Sequence, residues 1–84
     1  MEPRIPPEVR FAKSARKHRI GTARAKFVMT NNSPLIESHP EGLELKWIGF
    51  DDRGVELEVI AIDLGNRIFV IHVMPYNFRR RGNG

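Results

Sequence analysis

Hydrophobic residues change their spacing near the middle of the chain. From Glu8 the apolar positions Val9, Phe11, Ala12 and Ala15 fit one stripe of a short helix, with Arg10, Lys13, Ser14, Arg16 and Lys17 around the rest. "HRIGT" interrupts that pattern. Thr22 then offers its hydroxyl as N-cap for a second helix over Ala23 to Thr30, whose apolar content is Ala25, Phe27, Val28 and Met29. "NNSP" ends it. Beyond "PLIESHPEG" the period becomes extended, and Leu43 to Phe50, Val55 to Leu64 and Arg67 to Met74 read as three strands. "DDRG" and "LGNR" join them as hairpin turns, because Asp, Gly and Asn tolerate the required dihedrals. The expected fold class is α+β: two N-terminal helices packed on one face of a three- to four-stranded antiparallel sheet.

The turns also predict a register. A two-residue turn at Gly65 and Asn66 sets Val59 opposite His72 and Leu57 opposite Met74, and a matching turn at "DDRG" sets Phe50 opposite Val55. One face then carries Ile48, Phe50, Val55, Leu57, Val59, Ala61, Ile68, Val70, His72 and Met74. The other carries Leu45, Trp47, Ile60, Ile62, Phe69, Ile71 and Val73, interrupted by Glu56 and Glu58. A one-residue bulge exchanges part of this assignment. Two short helices cover one face only, so a second apolar face points to a partner, either another protein or a second copy.

Length and composition narrow the setting. The 84 residues make one domain, divided into an arm at 1–7 with three prolines, a helical part at 8–30, the meander at 43–74 and a basic tail at 75–84. A chain of this size leaves no room for a large cleft. Lys plus Arg number 14 against 10 Asp plus Glu, and the isoelectric point near 10.1 favours an anionic partner. Cysteine is absent, which fits a reducing compartment. "MEPRIPPEVR" has no apolar signal core and no window approaches eighteen apolar residues, so the expectation is a soluble cytoplasmic protein without membrane contact.

Candidate chemistry is sparse. His18, His39 and His72 are too widely spaced for a metal site, and no phosphate-binding glycine loop, nucleophile elbow or paired carboxylates occur. Asp51 and Asp52 have a role as turn residues. A lone histidine on an apolar strand is more often a core group on a backbone acceptor than a catalyst, yet His72 stands close to the strand exit at Pro75, beside Tyr76 and Arg79. Lys13, Arg16, Lys17, His18 and Arg19 form one basic cluster, and Arg79, Arg80 and Arg81 another. Each alone reads as a solvated face. Together, with Tyr76 and Phe78 alongside, they suggest a groove that tracks a single-stranded nucleic-acid backbone.

"RKHRIGTARAKFVM", "ELKWIGFDDRGVELEVIAID" and "GNRIFVIHVMPYNFRR" resemble the toxins of type II toxin-antitoxin pairs of the BrnT kind, within the RelE-like ribonucleases. The similarity spans roughly residues 9 to 81. Toxins of this kind have glycine directly after the Lys-His pair, where this chain has Arg19 and reaches glycine at Gly21; their last strand often runs into two arginines, where Met74 and Pro75 stand here. The resemblance implies a helix pair on an antiparallel sheet, RNA cleavage without metal or cofactor, and a cognate antitoxin that masks it. It makes His72 the proton-transfer group, Tyr76 a stacking or positioning group, and Arg67 and Arg79 phosphate clamps. Lys17 and His18 are second choices, and the RNA-binding residues are Lys13, Arg16, Lys17, His18, Arg19, Arg80 and Arg81. The competing reading is a non-catalytic basic module that binds nucleic acid or protein through its open sheet face.

Overall fold

The computed structural model describes residues 8–16 and 19–76. In chain order the elements are β1 (Val9–Phe11), a single 3-10 turn (Lys13–Arg16), α1 (Thr22–Asn31), β2 (Leu35–His39), β3 (Gly42–Phe50), β4 (Glu56–Asp63) and β5 (Ile68–Pro75). The strands form one five-stranded sheet in the order β1-β5-β4-β3-β2, antiparallel except where β1 runs parallel to β5.

The expected pair of N-terminal helices is therefore corrected to one α-helix, and the three- to four-stranded antiparallel sheet to a mixed sheet of five. The first expected helix fails because β-branched Val9 and aromatic Phe11 find a strand edge to join. Val9 pairs with Ile68 and Phe11 with Val70, while the Ile68 N–H donates to the Glu8 carbonyl and the Ala12 N–H to that of Val70. Val9 and Phe11 pack against the core at alternate positions, which a helical stripe would not allow. Only Lys13–Arg16 closes a turn, and it carries Ala15 into the core. β2 is the second correction. Its residues Leu35–His39 fall in a stretch without a buried alternation, and pairing to β3 through the Pro40-Glu41 turn makes them a strand.

α1 agrees with the expected second helix to within a residue at each end. Its N-cap is Gly21 rather than Thr22, with no side-chain bond there. Ala25, Val28 and Met29 are its buried face, packed with Ala15 against Leu45, Trp47, Leu57, Val59, Ala61, Ile68, Val70 and Val73. At the C-terminus the side-chain amides of Asn31 and Asn32 donate to the carbonyls of Phe27 and Val28 at 2.8 and 2.9 Å, tying these side chains back onto the last turn of the helix. Asn32 fits there because residue 49 is glycine; a Cβ at Gly49 would come within 2.3 Å of its amide nitrogen.

The two β-turns set the faces differently from expectation in one case. Gly65 and Asn66 do form the two-residue turn, with Leu64 N–H donating to Arg67 O at 2.9 Å. The other turn has three residues, Asp52, Arg53 and Gly54: Asp51 N–H donates to Val55 O, Gly54 N–H to Asp51 O, and Gly54 has φ of 79°. Phe50 consequently pairs with Glu56 rather than Val55, and every β3 side chain changes face.

Asp51 fixes that turn to the helix. Its side chain is fully buried and its carboxylate accepts from Arg53 N–H (2.8 Å), Val55 N–H (2.9 Å) and the Arg24 guanidinium (2.6 Å). Burial pushes this carboxyl up, but the Val55 N–H, Arg24 and the Arg53 N–H together outweigh burial and hold it below the usual carboxylate range. A depressed pKa stabilises the fold above the unfolded-state value near 4 and ceases to do so as pH falls through the folded value. Asp51→Asn is expected to lose about 2–4 kcal/mol at neutral pH, as when one partner of a buried hydrogen-bonded pair is removed. In urea melts the gap between variant and wild type should close toward pH 3, and a constant gap across that range would contradict the assignment.

Arg19 carries the one positive φ among the described non-glycine residues, at 59°. Its N–H donates to Arg16 O at 3.0 Å. Because the left-handed region costs an L-residue roughly 1–2 kcal/mol, Arg19→Gly is expected to raise stability, the relief exceeding the extra chain entropy of glycine. Thermal melts of the pair check this; a lower midpoint for the glycine variant would contradict it.

Candidate functional site on the open sheet face

α1 and the 3-10 turn pack on one face of the sheet, and among the described residues no helix packs on the other. The pairing places side chains on this second face in rows. Lys46, Ile60 and His72 form one row across β3, β4 and β5; Ile48, Glu58 and Met74 form the next.

His72 reaches this face through a bulge. Ile60 pairs with His72, but Ala61 pairs with Val70, so Ile71 is an extra residue in β5. The register predicted from the Gly65-Asn66 turn holds from Asp63 to Ala61 and slips by one beyond. Val70 then faces the helices while His72, two residues on, faces away. The expectation that His72 shares a face with Val59 and Val70 is thereby corrected. The bulged carbonyl is not left unpaired: the Ser14 hydroxyl, from the 3-10 turn, donates to Ile71 O at 2.7 Å.

Once turned outward, the imidazole meets Glu58. Nε2 of His72 lies 3.2 Å from Glu58 Oε1, and Lys46 Nζ lies 3.9 Å from Oε2. The Glu58 side chain is 1 % exposed, against 28 % for His72 and 33 % for Lys46. A buried carboxylate must be compensated by charge-assisted contacts, and these two residues supply them. An ionised Glu58 can only accept, and with it Nε2 is the donor of this bond and a neutral ring would carry its lone pair on Nδ1. The arrangement orients a half-exposed imidazole for proton transfer, with a cation two strands away.

The other residues expected at a site are distributed more widely. Arg67 precedes β5, five residues before His72 and so roughly 15 Å away along the strand. Tyr76 follows β5 on the opposite side, about 13 Å from His72, and is half-buried. Arg67 and Tyr76 therefore flank His72 along the strand, and Arg67 is near Glu8, whose Oε1 lies 3.9 Å from its Nε. Lys13, Arg16 and Arg19 are exposed on and after the 3-10 turn, which packs on β5. Lys17, His18, Arg79, Arg80 and Arg81 lie outside the described residues. His39 accepts the Glu41 N–H at 3.1 Å within its turn.

Glu58, Lys46 and Ser14 are the members of this cluster that sequence reasoning misses. Glu58 did carry a signal, as an acidic residue inside the apolar run "LEVIAI". Family models, characterised proteins and solved structures all yield no match to this chain. No helix among the described residues is long and apolar enough to cross a membrane.

The Glu58 contact has a direct spectroscopic consequence. Long-range nitrogen–proton spectra are expected to show neutral His72 as the Nε2–H tautomer, and Glu58→Gln should let the other tautomer appear while leaving His39 unchanged. A wild-type His72 in the Nδ1–H form would contradict the hydrogen bond.

Proposed function

We propose that this protein is the toxin of a type II toxin-antitoxin pair and acts as a metal-independent endoribonuclease, with His72 as its proton-transfer group. The observation that carries the reading is the half-exposed imidazole held by a buried carboxylate on the open face of a strongly basic domain. The imidazole takes the proton of a ribose 2′-hydroxyl as its oxygen bonds to the adjacent phosphorus. The bond from phosphorus to the 5′-oxygen breaks, and that oxygen receives a proton from the imidazolium, leaving a 2′,3′-cyclic phosphate and a 5′-hydroxyl. Lys46 supplies positive charge on the same face, and the exposed Lys13, Arg16 and Arg19, on the helix side, would hold the backbone of a longer RNA that passes around the sheet edge. The sequence resemblance adds Arg67, Tyr76 and Arg79 to this set.

Arg19 is a further support. Its left-handed backbone is the conformation glycine adopts freely, at the position where toxins of the BrnT kind carry glycine. A second reading is favoured by the exposed apolar residues of β2 and β3, Leu35, Ile36, Leu43 and Phe50. That surface suits a protein partner, and a masking antitoxin reconciles it with the first reading.

Inducible expression is expected to arrest growth, and co-expression of the adjacent small gene to relieve it. In vitro, His72→Gln should keep the unfolding free energy within about 1 kcal/mol of wild type, the amide retaining one hydrogen bond, while RNA cleavage falls by roughly two to four orders of magnitude. Cleavage per folded molecule that survives this change would remove His72 from the mechanism.

A further inference from the structure

The bulge at Ile71 does more than expose an imidazole. Phe69 and His72 are three residues apart, an odd separation that in a regular strand sends them to opposite faces. With Ile71 as the extra residue, both stand on the open face. Phe69 pairs with Ile62 and His72 with Ile60, so their rows are two residues apart, about 7 Å along β4. Phe69 is 37 % exposed, although Ile68 and Val70 on either side are buried in the core.

The charges around Phe69 are divided. Across the edge pair it faces Arg10 of β1, whose side chain is 62 % exposed, and Arg67 stands two residues before it with a 43 % exposed side chain. Glu8 lies between these arginines, its Oε2 accepting from Arg10 Nε at 2.7 Å. On the far side of the sheet Glu37 is paired directly with Glu44, a like-charge pair that repels a phosphodiester backbone. An anionic strand is thus directed along the β1 and β5 side, past Arg67, Arg10 and Phe69 toward His72.

We propose that Phe69 is a stacking platform for one unpaired base of a single-stranded RNA, adjacent to the phosphate presented to His72. This rests on the reading of His72 as the cleavage group and adds the substrate class: a single strand, because a base paired in a helix has no free face to stack. The ring provides affinity without base-edge recognition, since every base offers a π-face.

The test uses short 2′-O-methyl oligoribonucleotides, which lack the attacking hydroxyl and report binding alone, with inorganic polyphosphate as a probe that has no bases. Phe69→Ala and Phe69→Leu are each expected to weaken oligonucleotide binding about 5- to 150-fold, the equivalent of one stacked base, while Phe69→Tyr retains it. The leucine variant keeps an apolar group over Ile62, so its loss separates stacking from packing. Polyphosphate affinity should be the same in all four proteins. Unchanged oligonucleotide affinity in the alanine and leucine variants overturns the platform even if the wild type cleaves RNA. Equal losses for polyphosphate also overturn it. Conversion of a self-associated chain to a monomer by Phe69→Ala, with oligonucleotide affinity unchanged, would make the face an interface between copies and overturn it likewise. A stacking-dependent loss in a protein that cleaves no RNA would sustain the platform and remove the cleavage reading.

Discussion

The extra residue in β5 is the constraint on which the open face depends. With Ile71 outside the pairing, the strand presents Ile68, Val70 and Val73 to the helices and Phe69, His72 and Met74 to the other side. A regular β5 that kept Ile68 and Val70 on the helix side would turn His72 inward and Val73 outward. A bulge leaves a backbone group outside the ladder, and here the Ser14 hydroxyl accepts that role by donating to Ile71 O. The 3-10 turn that holds Ser14 is itself anchored by Ala15 in the core. Position of the imidazole and order of the basic N-terminal segment are therefore linked through one hydrogen bond.

On the helix side the structure is held by burial and one polar anchor. Ala25, Val28 and Met29 supply the apolar contact to the sheet, and small or branched residues at Val59, Ala61 and Val70 let α1 and the 3-10 turn approach. Arg24 binds Asp51 and so attaches the first turns of α1 to the hairpin between β3 and β4. Asn32 at the other end of the helix occupies the space left by Gly49. Both ends of α1 are thus fixed to β3, and its rotation about its own axis is restricted. The open face is free to carry polar chemistry because the core is completed without it.

Glu58 shows how stability and chemistry are joined. A carboxylate with 1 % exposure on a central strand is unfavourable unless compensated, and the compensation comes from His72 and Lys46 on the two neighbouring strands. The same contacts that lower this cost also set the ring orientation and the tautomer. Replacing any of the three changes the field felt by the others.

Much of this was legible in the sequence. The period-two runs gave β3, β4 and β5, the polar break and following apolar residues gave α1, and Gly65-Asn66 gave the register next to its turn. These are local properties, read from neighbours a few residues apart. What the tertiary structure decided is the count of residues between paired positions. One more residue in the Asp51 turn and one bulge at Ile71 each invert the alternation, moving Trp47 inward and His72 outward. The bulge is bound by a hydroxyl 57 residues earlier in the chain, and β1 exists only because β5 offers it an edge. Such pairings depend on groups distant in sequence, so hydrophobic period alone cannot carry them, and the Glu58–His72 contact follows from them.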